Sequence, residues 1–166
     1  MTDATERPLA FIDIDGVLNR CCSNSQAKRR GLARFHGWSA GQRWPLWLDA
    51  DDRGRIERLS EVFDPAWGTT WEHDAWTEVG SRLGLRQFDV VAITNPGEHS
   101  KAPGVVHAAG GRPFVWFDDD ALACEIDADQ PHLVIEVDPV QGLTDEHIDM
   151  ALFWAMPRRF VTGVTL

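Results

Sequence analysis

Apolar residues gather in short blocks along this chain, at 9–14, 88–94, 113–117 and 132–137, with a weaker block at 65–69. Unbroken apolar runs of this length belong to strands buried on both faces. The block at 65–69 is weaker because Pro65 and Gly68 are poor strand residues. Between the blocks the apolar spacing becomes helical. Ile56, Leu59 and Phe63 fall on one face, behind Asp51 and Asp52, whose charges suit a helix N-terminus. Trp76, Val79 and Leu83 fall on another, and Gly84 predicts its stop. Ala102, Val105, Val106 and Ala109 follow a Ser100 cap, with Pro103 in the first turn. Ile148, Ala151, Leu152 and Ala155 form a stripe between Thr144 and Pro157. Strands alternating with helices predict an α/β domain whose parallel sheet is covered by helices.

Residues 19–48 break the pattern. They are rich in Gly, Ser, Arg and Trp, and their periodicity is weak. A connection of about thirty residues is longer than ordinary loops and predicts a functional loop or small lid. The 166 residues suit one domain, 1–166, carrying this insertion. A net charge of −10 argues against general affinity for nucleic acid or anionic membrane, and no apolar run is long enough to span a bilayer. The polar N-terminus lacks the apolar segment of a secretion signal. Three cysteines, two of them adjacent at Cys21 and Cys22, do not make a disulfide framework or a zinc site. A cytoplasmic location is therefore expected.

The first apolar block runs into Asp13-Ile14-Asp15-Gly16-Val17-Leu18. Two carboxylates two residues apart at a strand end project to the same side and repel, unless a cation separates them or one takes a proton. Gly16 then lets the backbone turn away. Such a pair suits a divalent metal site with one carboxylate free to attack and one to shuttle a proton. A second acidic strand end follows at Asp118-Asp119-Asp120, behind Phe114-Val115-Trp116-Phe117. A helix N-terminus accounts for one or two acids. It does not account for two separate strands both ending in pairs.

The first segment resembles the opening motif of the haloacid-dehalogenase-like (HAD) superfamily, mostly magnesium-dependent phosphatases. Three further segments match that family's order. Trp67-Gly68-Thr69-Thr70 looks like its second motif, with Thr69 favoured over Thr70 as the phosphate-binding hydroxyl; a helix N-cap is the alternative role. Lys101 falls where the family places its lysine, and the Asp118 segment resembles its fourth motif. The resemblance covers residues 9–155. It implies a Rossmann-like three-layer sandwich with a mainly parallel five-stranded sheet and a short flap or cap insertion after the first strand, at about 19–48. It also implies that Asp13 attacks phosphorus, that Asp15 donates and later accepts a proton, and that Thr69 and Lys101 hold the phosphoryl oxygens. Mg²⁺ would be held by Asp13, the backbone carbonyl of Asp15, Asp118 and Asp119, the last directly or through water. The implied activity is hydrolysis of a phosphoric monoester through an aspartyl-phosphate. Phosphotransfer is an open alternative, as is a phosphate-binding module with little turnover.

Residues 19–48 contain no Asp or Glu, but they hold Arg20, Lys28, Arg29, Arg30, Arg34 and Arg43, interleaved with Trp38, Trp44 and Trp47. This suggests contact with an anionic aromatic substrate, a nucleotide or a nucleic-acid end, with Gly16, Arg29 and Arg30 among the candidate binding residues. A solvated basic loop anchored by its tryptophans is the competing reading. A receiver domain uses similar residue types, but its acidic pair precedes its phospho-acceptor. The first strand also lacks the Gly-x-Gly-x-x-Gly turn of a dinucleotide site.

Overall fold

The structure, a computed structural model, describes residues 7–93, 100–121 and 126–156. In chain order the elements are β1 (Leu9–Ile12), α1 (Asn24–Arg30), β2 (Ala33–Ser39), β3 (Gln42–Leu48), α2 (Asp52–Ser60), β4 (Asp64–Trp67), a single π-helical turn (Trp76–Gly80), β5 (Asp89–Val90), α3 (Ala102–Ala109), β6 (Phe114–Asp118), β7 (His132–Glu136) and α4 (Asp145–Ala155). Five of the strands form one sheet in the order β5-β4-β1-β6-β7, and every neighbouring pair in it is parallel.

Alternation along β1 separates two cores. Ala10 and Ile12 join Ile56 and Leu59 of α2 and Ile148 and Ala151 of α4 on one face. Leu9 and Phe11 join Ala102, Val105 and Ala109 of α3 on the other. The sheet therefore lies between helical layers, and its central strands are buried on both sides, as their unbroken apolar runs require. Each of the larger side chains sequestered here contributes about 1.5–3 kcal/mol. No helix among the described residues is long and apolar enough to cross a membrane.

Several boundaries differ from expectation. The block at 88–94 yields only the two-residue β5, and Thr94 lies outside the described residues. The stripe of Trp76, Val79 and Leu83 forms a π-helical turn followed by looser turns, not a regular helix, although Gly84 does supply a left-handed stop at φ +71°. Residues 19–48 are more regular than their pattern implied. Ser23 and Gln26 make a reciprocal capping box at the start of α1, and left-handed Gly31 ends it. β2 and β3 then pair as an antiparallel hairpin turning at Ala40 and Gly41, both with positive φ. Leu46, Leu48 and Gly37 are buried, and a side chain at Gly37 would collide with Leu46, Trp71 and Glu78. The hairpin's inner face is thus seated on the segment that follows β4.

Sheet order fixes where chemistry can occur. The chain leaves β1 for β4 on one side and later returns to β6 on the other. The crevice beyond the carboxyl ends of strands at such a reversal is the natural ligand site of an open α/β sheet.

Candidate active site

Asp13 follows the last residue of β1, and its amide donates to the carbonyl of Phe117 at 3.0 Å. That parallel bond sets the ends of β1 and β6 level and brings their acids together. Carboxylate oxygens of Asp13, Asp118 and Asp119, one from each, lie within 4.8 Å of one another. Lys101, the residue preceding α3, reaches between them. Its ammonium is 2.6 Å from Asp13 Oδ2 and also pairs with Asp118 Oδ2. Asp118 Oδ1 accepts from the Asp120 amide at 3.1 Å, and Asp13 Oδ1 from the Ile14 amide at 2.7 Å.

Burial dominates the electrostatics. It pushes the Asp13 carboxyl up to about 7, against the pull of Lys101 and with a further push from Asp118; hydrogen bonds from Lys101 and Thr69 pull it down. Asp119 is raised first by burial, then by the charges of Asp118 and Asp120. Burial alone would lower Lys101, but Asp13 and Asp118 outweigh it and hold the ammonium above its ordinary value. One cation among three carboxylates leaves an excess of buried negative charge. This is the environment that a divalent cation relieves, and hard oxygen donors are the ones that magnesium or calcium prefers.

Glycine at position 16 has a steric reason beyond its φ of +76°. A Cβ there would stand 2.4 Å from Asp119 Cγ. The backbone turns against Asp119, and only a hydrogen fits between.

Asp15 is oriented differently from its neighbour. It is exposed, and its carboxylate is held from the side: Oδ1 accepts from Asn19 Nδ2 at 2.9 Å and Oδ2 from Trp71 Nε1 at 2.8 Å. Asn19 also donates to Pro45 O at 3.3 Å and accepts from the Trp47 amide at 2.8 Å, so it ties the carboxylate to β3. The sequence offers Asn19 as a residue that closes and orients the first loop or simply forms its turn, and it does not single out Trp71 as an orienting group. Its one clue to Trp71 was adjacency to the hydroxyls after β4.

Thr69 is fully buried and hydrogen-bonds Asp13, and its Oγ1 accepts from the Trp71 amide at 3.3 Å. Thr70 is exposed and lines a cavity of about 440 Å³ with Asp13, Asp15, Ser100, Lys101 and Asp119. Asp120 shares that wall; its sequence position suits the start of a following helix, but residues 122–125 lie outside the described ones.

The basic residues of 19–48 separate into distinct roles. Arg20 is fully buried. It grips both oxygens of buried Asp52, stands 3.7 Å from Asp49, and donates to Leu18 O at 2.8 Å and Leu143 O at 3.1 Å. It is a structural clasp and is not available to a substrate phosphate. Asp52 is correspondingly an ion-pair partner more than a dipole residue. Arg30 is exposed and donates to Gln141 O at 2.6 Å. Neither Arg29 nor Arg30 lines the cavity around Asp13. The turn-forming stretch Asn95-Pro96-Gly97-Glu98-His99, in which His99 is an outside candidate for substrate contact, lies outside the described residues.

No protein-family model matches this chain, and comparisons with curated proteins and with solved structures give no match either.

Proposed function

We propose that this protein is a magnesium-dependent phosphoric monoester hydrolase of the HAD type, with residues 19–48 as its flap. The observation that carries the reading is the meeting of Asp13, Asp118 and Asp119 around Lys101 at the carboxyl ends of β1 and β6. The donor set fits a small hard cation, since two buried carboxylates and one half-buried carboxylate from two strand ends share one position with a single ammonium among the described residues. Asp13, Asp118 and Asp119 would hold it, with the Asp15 carbonyl as the resemblance implies. Bound Mg²⁺ would supply charge neutralisation for the phosphoryl oxygens.

The side chains account for the rest. An Asp13 oxygen attacks phosphorus, forming a carboxyl–phosphate bond as the bond to the leaving oxygen breaks. Asp15 gives that oxygen its proton. A water then attacks the aspartyl-phosphate while Asp15 takes a proton from it, regenerating Asp13 and releasing inorganic phosphate. Lys101 and the hydroxyl of Thr69 offset charge on the transferring group, and Thr70 lies beside the same cavity.

Release of phosphate from p-nitrophenyl phosphate, with and without Mg²⁺, tests the reading. Activity should require the cation, and Asp13→Asn should reduce it by on the order of 10³-fold or more while the circular dichroism spectrum is kept. Turnover by Asp13→Asn near the wild-type rate would overturn the nucleophile assignment.

A further inference from the structure

The hairpin presents two unlike faces. Directly opposed residues of antiparallel strands share a side. Leu46, Leu48 and Gly37 belong to the inner set. The outer set comprises Arg34 opposite Trp47, His36 opposite Pro45, and Trp38 opposite Arg43. On a chain of net charge −10, this face carries two arginines, a histidine and two indoles, and the whole of 19–48 holds no acid. Trp38 is 57% exposed on this face; Trp44, which pairs with Gly37 and belongs to the inner set, is still 45% exposed and meets the outer-set Trp47 only at the cavity described next. The Arg34 guanidinium lies over the Trp47 ring, 5.2 Å from its centroid. Large indoles left in water beside cations are costly for a surface with no ligand.

The face is continuous with the candidate active site. The residues lining a second cavity, of about 410 Å³, include Asp15, Asn19, Trp44, Pro45 and Trp47, with Arg20, held by Asp52, at its edge. Asp15 therefore borders both this cavity and the one holding Asp13 and Lys101. In the proposed reaction Asp15 protonates the leaving oxygen, so the leaving group belongs on the Asp15 side, against the indoles. The volume suits a nucleoside-sized group.

We propose that the outer face of the β2–β3 hairpin and the indole-lined cavity form a binding track for single-stranded nucleic acid. The terminal nucleoside sits at Trp44 and Trp47, and the following phosphates lie on Arg34 and Arg43. This rests on the hydrolase reading and narrows its substrate to a phosphorylated strand end. Sequence-tolerant stacking plus phosphate contacts is the ordinary chemistry of single-strand recognition. A local cluster of positive charge free of acids within 19–48 lets an acidic protein bind a strand locally without general affinity for nucleic acid.

Fluorescence anisotropy tests the track directly, using the full chain and a labelled oligothymidylate of about ten nucleotides that carries no terminal phosphate. Wild-type protein should bind, with affinity falling as salt rises. Arg34→Ala/Arg43→Ala should weaken binding and flatten the log–log salt slope by roughly 1.4, two single-strand phosphate contacts' worth. Trp38→Ala, at an exposed site that the fold does not need, should weaken binding about five- to a hundred-fold. Arg53→Ala/Arg86→Ala removes the same charge elsewhere and should leave binding in place. Absence of wild-type binding, equal loss in the charge control, or binding to anionic vesicles in place of the oligonucleotide would overturn the track. Turnover of p-nitrophenyl phosphate by the same preparation separates the two ideas. Turnover without oligonucleotide binding removes the track alone, and binding without any turnover removes the hydrolase alone.

Discussion

Replacing Arg20 by Met separates a structural guanidinium from a substrate-binding one. Arg20 donates to three backbone carbonyls, of Leu18, Gln141 and Leu143, and to both oxygens of Asp52, and its side chain is wholly buried. Met fills similar volume without donors. Breaking a buried pair from one side costs about 3–5 kcal/mol, because the remaining charge has no partner. Here Arg55 still reaches Asp52 Oδ1 at 2.9 Å, which favours the lower end of that range, about 3 kcal/mol. For a chain of this size the melting temperature should fall by roughly 6–12 °C. Urea unfolding at pH 7 should show a lower midpoint at unchanged slope. Arg20→Met/Asp52→Leu should recover much of the loss, since the orphaned carboxylate is then gone. A loss below about 1 kcal/mol, combined with a large rise in KM for phosphate esters, would refute the argument and return Arg20 to the substrate.

Two further outcomes are expected. Gly16→Ala places a methyl 2.4 Å from Asp119 Cγ at a residue with φ +76°. It should cost about 1–2 kcal/mol in backbone strain and also weaken magnesium-dependent thermal stabilisation by displacing Asp119; unchanged stabilisation in thermal melts would contradict the close approach. The pH dependence of the metal-free protein reports on Asp13. Its folded value of about 7 lies above the ordinary carboxyl value of 3.8, so this contribution to stability is full below 3.8 and is lost as pH rises through 7. In chelator, the melting temperature of wild type should therefore drop more between pH 5 and 8 than that of Asp13→Asn, and parallel curves would argue against a burial-raised carboxyl.

Much of the frame was legible because it follows from local rules. Unbroken apolar runs marked β1, β6 and β7, and the paired acids behind two of those runs marked the strand ends that the sheet sets level. Lys101 was found through the resemblance, by falling where that family places its lysine, and it does reach Asp13 and Asp118. What was not legible depended on distant partners. Nothing near Arg20 in sequence shows that Asp52 and the carbonyls of 141 and 143 will surround it, so its charge read as exposed. The same holds for Trp71, whose indole finds Asp15 only after the chain has crossed from β1 to β4. The hairpin hid because its outer face carries Trp and its inner face carries Gly and Ser, which cancels the period-two signal of an amphipathic strand.

Asn19 has one further consequence. Its amide holds the Asp15 carboxylate with one end and the β3 backbone with the other, while Trp71 grips the same carboxylate from beneath the hairpin's inner face. Hydrogen bonds thus tie the Asp15 carboxylate to the hairpin. If Asp15 is the proton donor of the proposed reaction, an occupant that tilts the hairpin should also re-aim it, so that a poorly fitting molecule loses more in rate than in affinity.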